Sequence, residues 1–259
     1  MVKFLKLPFA KDPTGDSDKE VRWIDVFFDN CCISPVCTFG DVDKLFLTIA
    51  DRTRRLEFGY SPELVSRFLV TPNIEHRAVQ SLHIVQWESL TSEECATLGN
   101  MIDRNHVQVR ELYLDLPLGN EAQVLLFCLT NATNLEVLYF YGVDHDDMED
   151  TPSGLLTEGI SPLLQLLQNP QNQLKKLCLA SVGLEDQHLI AISELLPTCQ
   201  IESFEFSRNR IQLAGMMEFV RHLPRMHSLK QVRWGLNRWQ LSKHACNMVG
   251  KAVLQHVMD

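Results

Sequence analysis

The sequence predicts an α/β solenoid, a curved stack with a parallel sheet on its concave face and helices on its convex face. Three observations predict it. A short phrase, apolar–x–x–apolar–x–apolar, returns seven times: Thr53–Leu56–Phe58, Val79–Leu82–Ile84, Val109–Leu112–Leu114, Leu135–Leu138–Phe140, Leu174–Leu177–Leu179, Ile201–Phe204–Phe206 and Leu229–Val232–Trp234. Its middle residues are spaced 26, 30, 26, 39, 27 and 28 apart. Between the phrases, apolar residues recur at helical spacing. One such unit cannot bury its own apolar faces, so copies must stack. A strand needs ~4.8 Å of stack and a helix ~10 Å, so the stack curves with the strands inside.

Taken in order, residues 1–20 carry Pro13, Gly15 and mixed charges and read as a flexible lead-in. Residues 21–52 read as an N-terminal cap or degenerate first repeat. There Val21–Ile24–Val26 fits the strand phrase, and Asp41 is placed to cap a helix through Val42, Leu45, Phe46 and Ile49. Residues 53–241 hold the seven repeats. The second has Cys95, Leu98, Met101 and Ile102 on its helix. In the third, Val124, Leu125, Phe127, Cys128 and Leu129 make a helix so apolar that it should be well covered. The fifth, 174–200, is the cleanest. Its strand alternates, Val182 and Leu184 turn inward around Gly183, and Leu189, Ile192, Leu195 and Leu196 recur at helical spacing before Pro197. The sixth repeats this with Met216, Met217, Phe219, Val220 and Leu223. Residues 242–259 form a last helix, which either closes the core or leaves an apolar end for a partner or a further segment.

These long helical units resemble the ribonuclease-inhibitor-like class of leucine-rich repeats over roughly residues 53–241. In that class an Asn commonly stands three residues after the last apolar strand position and bonds buried turn backbone. Asn209 and Asn237 match, whereas Trp87, Pro117, Val143 and Val182 depart, so other groups must satisfy those turns.

On the inner face the variable strand positions are expected to meet solvent. By phase these include Arg55 and Glu57; Ser81 and His83; Glu111, Tyr113 and Asp115; Val137, Tyr139 and Tyr141; Cys178 and Ala180; Glu205; and Arg233. Tyr113, Tyr139 and Tyr141 are three of the four tyrosines, on adjacent strands, and tyrosine is favoured in interface hot spots. With Glu111, Asp115, His83 and Arg233 they form a candidate partner-binding set. The acidic neighbours favour a protein partner with a basic surface. The stretched step of 39 hides an acidic insertion at about 144–160. Its Asp144, Asp146, Asp147, Glu149 and Asp150 read either as a solvated loop or as a docking loop, since insertions in repeat arrays map to loops. The run lacks the spacing of a Ca²⁺ loop.

The formal net charge of −9 and pI near 5.5 argue against nucleic acid or an anionic membrane as partner. No apolar stretch is long enough to span a membrane, and the N-terminus lacks the pattern of a secretory signal. A cytoplasmic protein is expected, with the nucleus also open, and its eight cysteines reduced. Cys31, Cys32 and Cys37 lack zinc-site spacing and read as buried cap residues. No nucleophile elbow, phosphate loop or dinucleotide fingerprint occurs, so neither catalysis nor a cofactor is expected. The expectation is an interaction scaffold. Its alternatives are a GTPase-activating regulator, by analogy with the repeat class used in the Ran system, and a substrate-recognition subunit of a larger complex. The oligomeric state does not follow from the sequence.

Overall fold

Strands and helices alternate along the chain, and every described strand joins one sheet. A computed structural model describes residues 23–74, 79–103, 109–117, 119, 121–142, 160–237, 240 and 242–258. The strands are β1 (Trp23–Asp29), β2 (Thr53–Gly59), β3 (Ser81–Val85), β4 (Glu111–Asp115), β5 (Val137–Tyr141), β6 (Lys176–Ala180), β7 (Ser203–Glu205) and β8 (Gln231–Arg233). They pair in parallel and in sequence order, giving an open eight-stranded sheet. The helices between and after them are α1 (Phe39–Arg52), α2 (Pro62–Val70), α3 (Ser92–Asp103), α4 (Glu121–Leu129), α5 (Ser161–Gln168), α6 (Asp186–Leu195), α7 (Leu213–His222) and α8 (Lys243–Met258). Each helix packs on the next, from α1 against α2 to α7 against α8.

The register follows the repeated phrase. Leu56 pairs with Leu82, Leu82 with Leu112, Leu112 with Leu138, Leu138 with Leu177 and Leu177 with Phe204. These residues and their partners two positions on are removed from water and face the helices. Both ends of this core are filled by aromatic rings. Phe28, Phe46, Phe58 and Phe68 pack at one end, and Phe204, Phe206, Phe219 and Trp234 at the other. Such rings contribute large buried areas where fewer neighbouring units remain. Beyond Trp234, α8 buries Ala245 and Val249.

Helix starts follow local side-chain chemistry. At α1 the N-cap is Thr38 rather than Asp41. Thr38 Oγ1 accepts from Asp41 N at 3.2 Å, and Asp41 returns a carboxylate oxygen to Thr38 N, also at 3.2 Å, a capping box. Thr91 and Glu94 make the same reciprocal pair at α3. In α4, Phe127 is 64% exposed, against the expectation of a well covered helix. Cys32 and Cys37 are exposed and Cys31 only partly buried, because they lie on the surface connection between β1 and α1 rather than in its core.

Turns at the strand exits obey a rule with a gap. The second residue after the last inward strand position has positive φ at Asn30, Tyr60, Ser181, Arg208 and Leu236. At three of these five turns the side chain of the next residue, Ser61, Asn209 or Asn237, then reaches buried backbone. Asn209 Oδ1 accepts from Val182 N (3.1 Å) and Leu184 N (3.0 Å), and Nδ2 donates to Leu179 O at 2.7 Å and Phe206 O at 3.0 Å. Asn237 Oδ1 accepts from Asn209 N at 3.1 Å. Ser61 fills the same place near the other end, accepting from Cys31 N at 2.9 Å and donating to Gly59 O at 2.8 Å. After β3, β4 and β5 no positive φ occurs at this position. After β3, Trp87 turns outward and Gln86 is buried instead, its Oε1 without a partner among the described residues.

Asn209→Ala strands two buried N–H groups and their facing carbonyls. We expect a loss of about 3 kcal/mol, from a penalty of about 1–3 kcal/mol per unsatisfied buried group with incomplete additivity. Urea denaturation measures it, and a loss below about 1 kcal/mol would mean these bonds do not hold the turns.

Candidate binding face

Residues out of phase with the core form the other face of the sheet, in cross-strand rows. The central row is Phe27, Glu57, His83, Tyr113, Tyr139, Cys178, Glu205 and Arg233, each in register with the next. Parallel pairing at about 4.8 Å brings successive side chains into contact. The His83 and Tyr113 rings stack with centroids 4.0 Å apart, and Tyr113 meets Tyr139 at 5.3 Å. Tyr141, two residues along β5, lies nearly parallel to Tyr139 at 6.4 Å. His83, Tyr113, Tyr139 and Tyr141 thus form one half-buried aromatic surface across β3–β5. Glu111 and Asp115 flank it on β4.

Arg233 stands apart. Cys178 and Glu205 intervene in its row, and its Nη1 faces Glu205 at 3.6 Å. The acidic positions Asp144, Asp146, Asp147, Glu149 and Asp150 lie outside the described residues. Five positions expected by phase to meet solvent are buried: Gly59, Ser81, Val137, Cys178 and Ala180. The last four are short side chains whose register neighbours are taller: Arg55 and Glu111 beside Ser81, Glu111 and Lys176 beside Val137, Tyr139 and Glu205 beside Cys178, Tyr141 beside Ala180.

Burial pushes the Cys178 thiol up to about 12, with Glu205 adding to it. Burial raises Tyr113 and Tyr139 as well, so both phenols keep their protons at neutral pH. His83 is pushed down to about 4, first by burial and then by the Arg55 guanidinium. That guanidinium lies 3.5 Å from His83 Nδ1 and 2.9 Å from Glu57 Oε2. Ser81 Oγ is 2.9 Å from His83 Nε2, a contact the sequence pattern did not mark. The Ser81–His83–Glu57 order has the composition of a proton relay but not its geometry. Glu57 is 3.9 Å from Nδ1, and Arg55 opposes the imidazolium that a carboxylate would stabilise. The neutral ring serves as a stacking and hydrogen-bonding surface.

Two further features were not legible from phase. Tyr60 and Trp87, from the turns after β2 and β3, stack at 5.0 Å and are 39% and 65% exposed. Along the strand entrances runs a row of polar partners: Arg54 to Gln80 at 2.9 Å, Arg110 to Glu136 at 3.1 Å, Glu136 to Lys175 at 2.7 Å and Glu202 to Lys230 at 2.8 Å. A groove of about 370 Å³ opens there between Arg54, Arg55, Ser81, Arg110, Glu111 and Glu136. Among the described residues, no group of three or more His, Cys, Asp or Glu is arranged to hold a metal ion. None of the described helices is long and apolar enough to cross a membrane.

A proton titration by NMR should place the His83 midpoint near 4. The folded value lies below the unfolded value of about 6.5, so the unfolded chain takes up this proton first as pH falls. The contribution to stability is complete above about pH 6.5 and is lost as pH falls toward about 4. Comparison with His83→Gln isolates it, and a midpoint near 6.5 would contradict the packed, Arg55-facing ring.

A scan against protein-family models finds no match to this chain, and a search of curated proteins finds none either.

Proposed function

We propose that the chain is a leucine-rich-repeat solenoid of the ribonuclease-inhibitor-like class, a non-catalytic scaffold that binds a protein partner on its sheet face. The sequential parallel register and the Asn209–Asn237 turn bonding support the class. One observation carries the function: the aromatic surface of His83, Tyr113, Tyr139 and Tyr141 occupies β3–β5, the strands whose exit turns break the repeat's own rule. A pure scaffold gains nothing from that coincidence. Departures from local consistency gather at functional sites, and rigid aromatic groups with a polar end supply interface energy at small entropic cost. The surface is half-buried and spread over three adjacent strands, which suits a polypeptide better than a small substrate that takes a deep enclosed pocket.

The triple variant Tyr113→Ala/Tyr139→Ala/Tyr141→Ala should retain the circular dichroism of the parent and lose partner capture from a native extract. At about 2 kcal/mol for a hot-spot ring, each loss weakens binding roughly 30-fold. Undiminished capture by the folded variant would remove the sheet face as the binding surface.

A further inference from the structure

The charges on this face are unevenly satisfied. Arg55 binds Glu57 at 2.9 Å, and Arg233 faces Glu205 at 3.6 Å. Asp115 has no cation beside it among the described residues, although it is half-buried within the aromatic surface. Its register partner on β5 is Tyr141, and Tyr113 precedes it by two on β4. Burial raises its carboxyl above its ordinary value, which marks a carboxylate partly deprived of water and given no compensating charge among the described residues. On the far side of Tyr141, beyond β6, the exposed Arg208 guanidinium lies 5.9 Å from the ring centroid, so this ring already accepts a cation on its Arg208 side.

We infer that Asp115, with the rings of Tyr139 and Tyr141, is the seat for a cationic side chain of the partner polypeptide, an arginine in preference to a lysine. The inference rests on the sheet face being the protein-binding surface, and it names what that surface selects. An apolar partner covering the patch would complete the desolvation of Asp115 without repaying it. A guanidinium repays it through charge-assisted hydrogen bonds to the carboxylate while its plane lies against a tyrosine ring. A lysine ammonium supplies the charge but neither the fork nor the plane. A partner carboxylate at this point would meet Asp115 as a like charge, which the site rejects.

The probes are Ac-Gly-Arg-Gly-NH2, its lysine counterpart and its citrulline counterpart, the last keeping the shape of arginine without its charge. Each is titrated into the full-length protein carrying ¹³C-labelled tyrosine, at 150 mM salt. The arginine peptide should saturably shift the Tyr139 and Tyr141 ring signals and bind at least about fivefold tighter than citrulline, with lysine between them. Asp115→Asn, close in shape, should bring the arginine-to-citrulline ratio within about twofold of unity. Asp115→Ser is the second variant should Asn disturb folding, with unchanged thermal melting the criterion for either. Tyr139→Ala/Tyr141→Ala should weaken all three peptides. An arginine-to-citrulline ratio near one, a ratio unchanged by both Asp115 variants, or no saturable shift overturns the inference. The two readings fail separately. Partner capture that needs the tyrosines but ignores Asp115 leaves the binding face and removes the seat. Capture indifferent to the tyrosines removes the face itself.

Discussion

The parallel ladder of inward strand residues is the constraint on which everything else in this chain depends. A unit of roughly 28 residues has an apolar strand face and an apolar helix stripe, and it buries both only by lying against another unit in fixed register. Leu56, Leu82, Leu112, Leu138, Leu177 and Phe204 hold that register one strand after another. A slip of one residue would exchange the two faces of a strand, placing Tyr113 in the core and Leu112 in water. The same interaction that stabilises the sheet therefore also aligns the outward side chains into rows. His83, Tyr113 and Tyr139 touch because Leu82, Leu112 and Leu138 are stacked beneath them.

Turns at the strand exits divide the chain into two regimes. Toward each end, a positive-φ residue followed by Ser61, Asn209 or Asn237 lets a side chain satisfy the backbone of the preceding turn. These bonds run from unit to unit and tie neighbours together as the core does. Over β3–β5 the pattern lapses. Trp87 stands outside where a polar side chain would go in, and the buried Gln86 oxygen lacks a partner among the described residues. After β5, a Cβ at Gly142 would come within 2.0 Å of Ser181 O, so neighbouring turns approach there by backbone contact. The middle strands give up regular turn bonding and carry the aromatic surface. On that pairing rests the proposal that this face binds a partner.

Electrostatics divide the sheet the other way, between its entrances and its middle. At the entrances, alternating partners such as Arg110, Glu136 and Lys175 link neighbouring units, and their exposure keeps each bond modest. In the middle, beside the Arg55–Glu57 pair, several titratable groups are held neutral or have no counter-charge among the described residues. His83 loses its proton to burial and Arg55, the phenols keep theirs, and Asp115 is desolvated. The cost of covering Asp115 therefore depends on the charge brought to it.

Much of this was legible in the sequence, because successive Cβ atoms of a strand must point to opposite faces. Covalent geometry alone carried the repeated phrase to the core and placed Tyr113, Tyr139 and Tyr141 together on the opposite face. What the sequence left open has a common cause. Ser61 matches no Asn pattern, yet its hydroxyl serves because the turn brings Cys31 N within 2.9 Å. Phe127 is exposed because a helix apolar all round carries no polar stripe to fix which side turns outward. Cys178 and Ala180 are buried by the height of side chains on neighbouring strands. The sequence by itself determined the period, the register and the two faces of the sheet. Only the tertiary structure decided exposure, pairing and charge on those faces, because these depend on neighbours some 26 to 39 residues away in the chain that stacking places side by side.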